Sequence, residues 1–404
     1  MVRARRFAWP VLAPRFMVRA VFGRENRGRS LGFASALAVV LGLGTAASVG
    51  ALLGACSTAE LRAPGSSSSG GDGPGVKPVE DEDGGASTSS GGPAAPAPPP
   101  PVSSDVTIQV QPTDSGAALL AAIKGAQKSV HMTMYLLTSY ETVDALVDLK
   151  NAGKDVKVIL NQTFPPNGGS NADSYAELKA KGVPVVWAPS AYQFTHSKSI
   201  VIDGEKLIVM TMNMTYTSAQ TNREYIATDL DPDDVRDAET IFDADYRNVN
   251  AHLATTKLLL SPRDATSVDA RTRLVALIDS AKTSIDVETQ SLSDDALVDA
   301  LIAAHQAGVA VRIVLDGDTL HTTGQEEAAG KLVAAGVPLR GVSKPDIHAK
   351  AIVVDRVRTF VGSMNLTPTA LSSNREMGII TDAADEATKV AGTIAGDFGK
   401  GTPF

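Results

Sequence analysis

The chain repeats itself. Lys128–Thr138, KSVHMTMYLLT, is matched by Thr283–Ser293, TSIDVETQSLS, and each alternates with the period of a β-strand. Asp155–Asn161, DVKVILN, is matched by Ala310–Asp316, AVRIVLD, and Gly182-Val183-Pro184 by Gly336-Val337-Pro338. Helical patterns separate these segments, so each copy reads strand, helix, strand, helix, strand. A duplication of roughly 150 residues predicts two equivalent lobes. The fold class expected is therefore α/β: two tandem α/β/α sandwich lobes, residues 105–252 and 253–404, each a mixed sheet with helices on its faces. They should pack as a pseudo-dimer around one shared site, in a chain that is itself a monomer.

Hydrophobic residues make up 43% of the 404 and aromatic ones 5%, so the core must be built mainly from Ala, Val, Leu and Ile. Cys56 is the single cysteine, which excludes a disulfide framework and any zinc site built on several thiolates. A metal would need His and carboxylate ligands.

The net charge of −8 is unevenly spread: residues 1–55 hold eight Arg and one Glu, which leaves −15 on the remainder. The arginines precede Leu31–Ala55, a run without a charged residue, which is the layout of an export signal or an N-terminal membrane anchor. Leu53-Gly54-Ala55-Cys56 closes the run and resembles the lipobox of bacterial lipoprotein signals, in which the cysteine is lipidated. The positive flank should stay cytoplasmic and the rest be exported, held at a membrane and facing the periplasm or cell surface. Residues 56–104, dominated by Ser, Gly, Pro and Ala, cannot bury a core and are expected to form a disordered tether.

The repeat is most regular near its end. His196, Lys198 and Asp203 recur at a shift of 152 as His348, Lys350 and Asp355, and Asn213, Asn222 and Glu224 recur as Asn365, Asn374 and Glu376. THSKSIVID and IHAKAIVVD are strand-like, and Asp203-Gly204 marks a hairpin turn. The return strands carry Thr211 and Asn213 in one copy, Ser363 and Asn365 in the other. Two such hairpins facing each other gather two imidazoles, two ammonium groups and two amides around one cavity.

That set suits cleavage of a phosphodiester, an anion that resists attack by another anion. Lys198, Lys350, Asn213 and Asn365, with the hydroxyls of Thr211 and Ser363, can hold the non-bridging oxygens. One histidine can attack phosphorus while the other protonates the departing alkoxide, so no metal or other cofactor is required. Each imidazole needs a partner to fix its tautomer, and Glu224 and Glu376, each 28 residues after the histidine of its own copy, are the candidates. Asp203 and Asp355 read better as turn and salt-bridge residues than as direct participants. His131, His252, His305 and His321 have no histidine counterpart and are assigned to structure or surface, and Trp187, Tyr192 and Phe194 to packing around the hairpin.

These residues resemble the phospholipase D superfamily, whose signature is HxKxxxxD followed by a GSxN-like element. The resemblance covers about 300 residues from Asp105, with one departure: Gly362-Ser363-Met364-Asn365 keeps the glycine that Met210-Thr211-Met212-Asn213 lacks. It implies two phospholipase D-like lobes, a phosphohistidine intermediate on His196, His348 as the acid, Asp203 and Asp355 as members of the catalytic motifs, and no metal. Membrane tethering favours a phospholipid substrate, its head group hydrolysed or its phosphatidyl group passed to an alcohol as in cardiolipin synthases. A metal-independent nuclease is the alternative, opposed by the charge of the exported part and the lack of a basic run there. A lipid-binding protein that keeps the fold alone would usually have lost a motif His or Lys, and both pairs are intact.

Overall fold

A computed structural model describes residues 101–404, apart from residues 104, 167 and 323. The signal-like segment, Cys56 and nearly all of the expected tether lie outside the described residues.

The first copy forms β1 (Val106–Gln111), α1 (Ala117–Lys124), β2 (Ser129–Met134), α2 (Tyr140–Asn151), β3 (Asp155–Leu160), α3 (Ala172–Ala180), β4 (Val185–Trp187), β5 (Lys198–Ile202), β6 (Lys206–Met210), α4 (Ser218–Thr221), β7 (Asn222–Asp229) and α5 (Pro232–Tyr246). The second forms β8 (Leu259–Ser261), α6 (Ala270–Asp279), β9 (Ser284–Thr289), α7 (Asp295–Gln306), β10 (Ala310–Asp316), α8 (Gln325–Ala334), β11 (Leu339–Val342), β12 (Asp346–Ile347), β13 (Lys350–Val354), β14 (Arg358–Gly362), α9 (Pro368–Ser372), β15 (Glu376–Thr381), α10 (Ala384–Lys400) and β16 (Thr402–Pro403). Strand order is β1-β7-β6-β5-β2-β3-β4 in one sheet and β16-β11-β10-β9-β13-β14-β15-β8 in the other.

Each sheet is mixed for a reason visible in its connections. The β2-β3-β4 pairings are parallel because α2 and α3 return the chain to the same end, whereas β5, β6 and β7 follow one another antiparallel, β5 to β6 through a short turn and β6 to β7 through the segment that carries α4. Glycine ends α3 and α8 at the matched GVP segments: Gly182 and Gly336 sit at φ 77° and 85°, where other residues are strained. The β5–β6 turn places Asp203 and Gly204 at φ 60° and 66°, and the β13–β14 turn places Asp355 and Arg356 at 54° and 56°. Both are hairpin turns whose backbone twist matches that of the strands.

Three apolar clusters hold the lobes. Val130, Met132 and Met134 of β2, with Val156, Val158 and Leu160 of β3, pack under α1 and α2; Ile285 and Val287 of β9 do the same under α6 and α7. The third cluster joins the copies: Val201, Leu207, Val209 and Tyr225 of the first meet Ala351, Val353, Val361 and Met377 of the second, closed off by α5 and α10. Burial of this apolar surface, favourable by about 25 cal/mol per Å², holds the two copies together. Among the described residues no helix is long and apolar enough to cross a membrane.

Candidate active site

Two short pairings between the lobes position the histidines. The segment before β5 lies against the segment before β15, with His196 N donating to Arg375 O at 2.9 Å and Arg375 N to Phe194 O at 2.9 Å. Its counterpart is β12, which pairs with the start of β7 through Asp346↔Asn222 and Ile347↔Arg223. Each motif histidine is thus fixed by the backbone of the opposite lobe, next to that lobe's glutamate.

The consequence corrects the expectation drawn from spacing. His196 Nδ1 bonds to Glu376 Oε1 at 2.9 Å, and His348 Nδ1 to Glu224 Oε1 at 2.9 Å, so each glutamate serves the histidine of the other copy rather than its own. Strands β7 and β15 run into the seam, which carries Glu224 and Glu376 across it. The carboxylates are completed within their own lobes by Thr211 Oγ1 to Glu224 at 2.5 Å and Ser363 Oγ to Glu376 at 2.5 Å. A threonine therefore does what the serine does, and Met210 in place of Gly362 leaves that bond intact. With Nδ1 occupied, Nε2 is the ring nitrogen left for a substrate.

Lys198 and Lys350 are fully buried, and each donates to the carbonyl of the histidine two residues before it, at 2.5 and 2.6 Å. Burying an ammonium costs several kcal/mol, so two of them in one seam mark a site prepared for an anion. Both imidazoles respond to them. Burial pulls His196 down to about 4; Glu376 pushes the other way, while Lys198 and Lys350 lower it further. His348 is lowered for the same reasons, with Glu224 opposing and Lys350 and Lys198 adding to the shift. Each histidine senses the lysine of the other lobe, which places the two pairs around one centre.

Asn213 and Asn365 are buried at the ends of the return strands, and their amide oxygens have no hydrogen-bond partner. Such an oxygen can accept from an O–H or N–H of a ligand, while the NH2 group of the same side chain is the one that can donate to a phosphate oxygen. Asn222 and Asn374 bond instead to the glutamates two residues on, at 3.4 and 3.2 Å.

Asp203 and Asp355 do not join this cluster, which corrects their place in the catalytic set. They stand at the far ends of β5 and β13, and their carboxylates cap the chain entering β2 and β9. Asp203 accepts from the N–H groups of Gln127, Lys128 and Ser129, and Asp355 from those of Lys282, Thr283 and Ser284. Burial is the largest single influence on both carboxyls and raises them, but the hydrogen bonds together outweigh it and hold both below the usual Asp value. His131 lies behind the sheet, stacked on Phe242 and bonded to Glu239 at 2.7 Å. His252 and His321 are exposed, and Trp187 stacks on Tyr175 at 3.9 Å. Among the described residues no group of three or more His, Cys, Asp or Glu is arranged to hold a metal ion.

Four residues at the site were not singled out in the sequence. Tyr135 presses its ring edge-on against His196 at 4.5 Å and beneath Lys198 Nζ at 4.9 Å. Gln290 Oε1 accepts from Lys350 Nζ at 3.4 Å. Arg375 grips the buried Asp245 with two bonds of 2.9 Å and also reaches Tyr192, while Arg223 grips Asp397 at 2.6 Å. These arginines are neighbours of the two glutamates and are themselves 152 residues apart, so the repeat carried their signal.

A fold of paired lobes with a crossed His–Glu, Lys–Lys cluster at the seam defines a phospholipase D-like protein. The family model described as "Cardiolipin synthase, PLD-like domain" matches twice, over residues 119–246 and 274–398, and the chain belongs to that family. A mitochondrial cardiolipin hydrolase of Danio rerio is 37% identical over 112 residues, 27% of this chain and 48% of the hydrolase. The chain thus spans about half the length of the curated hydrolases that it matches. A cardiolipin synthase of Clostridium perfringens is 23% identical over 326 residues, covering 68% of this chain and 66% of the synthase. Among solved structures, phosphatidylserine synthase of Haemophilus influenzae superimposes with a TM-score of 0.58 over 76% of this chain and 89% of its own, at 11% identity, which supports the shared fold.

Proposed function

We infer that the protein is a phosphodiesterase of phospholipase D type that removes or exchanges phospholipid head groups. The crossed pair of buried His–Glu units flanked by two buried lysines carries this reading. The names of its relatives support a phospholipid substrate, and so do residues 1–56, which read as an export signal ending in a lipidation cysteine. On this reading the enzyme is exported and held at a membrane beside its substrate.

The steps follow from the geometry. The diester's non-bridging oxygens lie between Lys198 and Lys350 and take amide contacts from Asn213 and Asn365. His196 is neutral at physiological pH because burial dominates its surroundings, and its Nε2 holds the lone pair that attacks phosphorus. As the N–P bond forms, the P–O bond to the head-group alcohol breaks, and the leaving oxygen takes a proton from His348. Burial, aided by the two lysines, disfavours the imidazolium of His348; the phosphate anion opposes the lysines and so favours the protonated form when substrate is bound. His348 then removes a proton from water or an acceptor alcohol, whose oxygen displaces His196. Water gives hydrolysis and an alcohol gives transfer.

The test is turnover of the full chain, with a chelator present, on mixed-phospholipid liposomes and on single-stranded DNA. Each substrate is also assayed with His196→Ala and His348→Ala. Head-group release that both variants abolish supports the reading. DNA cleavage with no action on liposomes replaces it with a nuclease.

A further inference from the structure

Around the histidines the lobes share their His, Lys, Asn and Glu residues but differ along one wall. In the register that superimposes β2 on β9 and β3 on β10, Tyr135 corresponds to Gln290 and Phe164 to Thr319; in the motif register Phe194 corresponds to Asp346. Tyr135, which meets His196, and the two rings packed on it are thus replaced by Gln290, which meets Lys350, and two further polar residues.

The contrast is physical as well as compositional. The Tyr135 ring has its centroid 4.9 Å from that of Phe164 and 6.2 Å from that of Phe194, and it is the ring of this aromatic group that meets His196. On the other side Gln290 meets Lys350, and Thr319 Oγ1 bonds to the Gln290 carbonyl at 3.3 Å. Asp316 accepts from Thr319 N at 3.1 Å and also from the backbone of Ile347, the residue before His348. Asp316 and Asp346 both lie within electrostatic reach of Asp318, with Lys344 as the opposing charge near Asp346. The position equivalent to Asp316 in the first lobe is the neutral Asn161, and that equivalent to Asp318 is Thr163.

In-line displacement places the leaving group opposite the nucleophile. With His196 attacking, the departing alcohol lies on the His348 side, against the polar, negatively charged wall. We propose that the wall of Gln290, Thr319, Asp316, Asp318 and Asp346 binds the leaving alcohol and selects a cationic amino-alcohol head group over one that bears a further phosphate. The inference rests on the phospholipase D reading and deepens it. The aromatic wall takes the apolar side of the same diester, so the substrate binds in a single orientation. A leaving group with its own phosphate, as in cardiolipin, would bring a negative charge against these carboxylates.

The experiment compares kcat/KM of the full chain on vesicles doped with phosphatidylcholine, phosphatidylglycerol or cardiolipin, with bis(p-nitrophenyl) phosphate as a diester that has no head group. The expected order is choline, then glycerol, then cardiolipin, with about tenfold between the ends, equivalent to about 1.4 kcal/mol. Asp318 is exposed, so Asp318→Lys tests charge without disturbing a core. It should narrow the choline-to-cardiolipin ratio at least about threefold, and Asp346→Asn should narrow it in the same direction. Because the readout is a ratio within one variant, partial misfolding cannot imitate it. Equal turnover of choline lipid and cardiolipin, a preference for cardiolipin, or a ratio unmoved by both variants overturns the proposal. Cleavage of the nitrophenyl diester without any lipid turnover overturns the phospholipid reading, and the head-group assignment falls with it.

Discussion

Glu376→Gln tests the crossed His–Glu pairing most directly. The carboxylate is fully buried and accepts from His196 Nδ1 at 2.9 Å, Ser363 Oγ at 2.5 Å and Asn374 Nδ2 at 3.2 Å. Glutamine keeps its volume but has one oxygen and no charge, so the oxygen that faces Nδ1 becomes a neutral acceptor and the NH2 group faces Ser363. The ring then loses a charge-assisted bond worth about 1.5–3 kcal/mol, and its proton is free to move to Nε2, the atom that must attack. At about 1.4 kcal/mol per tenfold, formation of the phosphohistidine should slow about 10- to 100-fold. Titration does not account for the loss, because the Glu376 charge raises the His196 value; removing it leaves the imidazole still more firmly neutral.

The assay uses bis(p-nitrophenyl) phosphate, whose phenolate departs without an acid. On the proposed mechanism the pre-steady-state burst reports attack by His196, and the later steady rate reports release assisted by His348. Glu376→Gln should cut the burst rate. Glu224→Gln should leave the burst within about threefold of the parent and lower the steady rate, since Glu224 holds His348. The reverse pattern would show that each glutamate serves its own lobe after all, and equal losses in both phases would refute the division of labour.

The burst rate should be flat from about pH 8 down to about pH 5 and fall only near pH 4, where the buried His196 takes a proton; a midpoint near 6.5 would mean an imidazole in water. Asp203→Ala removes the cap on three backbone N–H groups and should cost about 1–3 kcal/mol in urea denaturation, with activity per folded molecule retained; loss of kcat at full stability would return Asp203 to the catalytic set. Arg375→Met strands the buried Asp245 carboxylate and should destabilise by about 3–5 kcal/mol, while Arg375→Met with Asp245→Leu should recover most of it, as thermal unfolding of both variants would show.

Much of this was legible because duplication writes the same constraint twice. A shift of 152 marks the two hairpins and their glutamates, and period-two alternation in KSVHMTM and TSIDVET gives the strands they join. Which glutamate meets which histidine could not be read in the same way. A spacing of 28 residues is identical in both copies and says nothing of which side of a seam a strand crosses; the backbone pairings Thr195 to Arg375 and Ile347 to Arg223 decide it. Tyr135 and Gln290 escaped for the opposite reason. Comparing two copies draws the eye to what is identical, and these positions matter because they differ.

That difference also explains what fusing two lobes into one chain makes possible. Two identical lobes related by a twofold axis present identical walls to the phosphodiester, and either histidine can attack. Nothing in such a site tells the two ends of a substrate apart. In a single chain the copies are free to diverge, provided that residues which must cooperate across the seam are kept. Here His, Lys, Asn and Glu are kept in both copies, and Ser363 is matched by Thr211. The copies differ where one lobe puts Tyr135, Phe164 and Phe194 and the other Gln290, Thr319 and Asp346. Binding in one orientation then assigns one imidazole to attack and the other to proton transfer, although their carboxylate partners are equivalent. Exchanging Tyr135 and Gln290 between the lobes should blur that assignment. Phosphate trapped on histidine during turnover, confined to His196 in the parent, should then be found on both His196 and His348 by peptide mass spectrometry. Phosphate that remained wholly on His196 after the exchange would show that the asymmetry is set elsewhere.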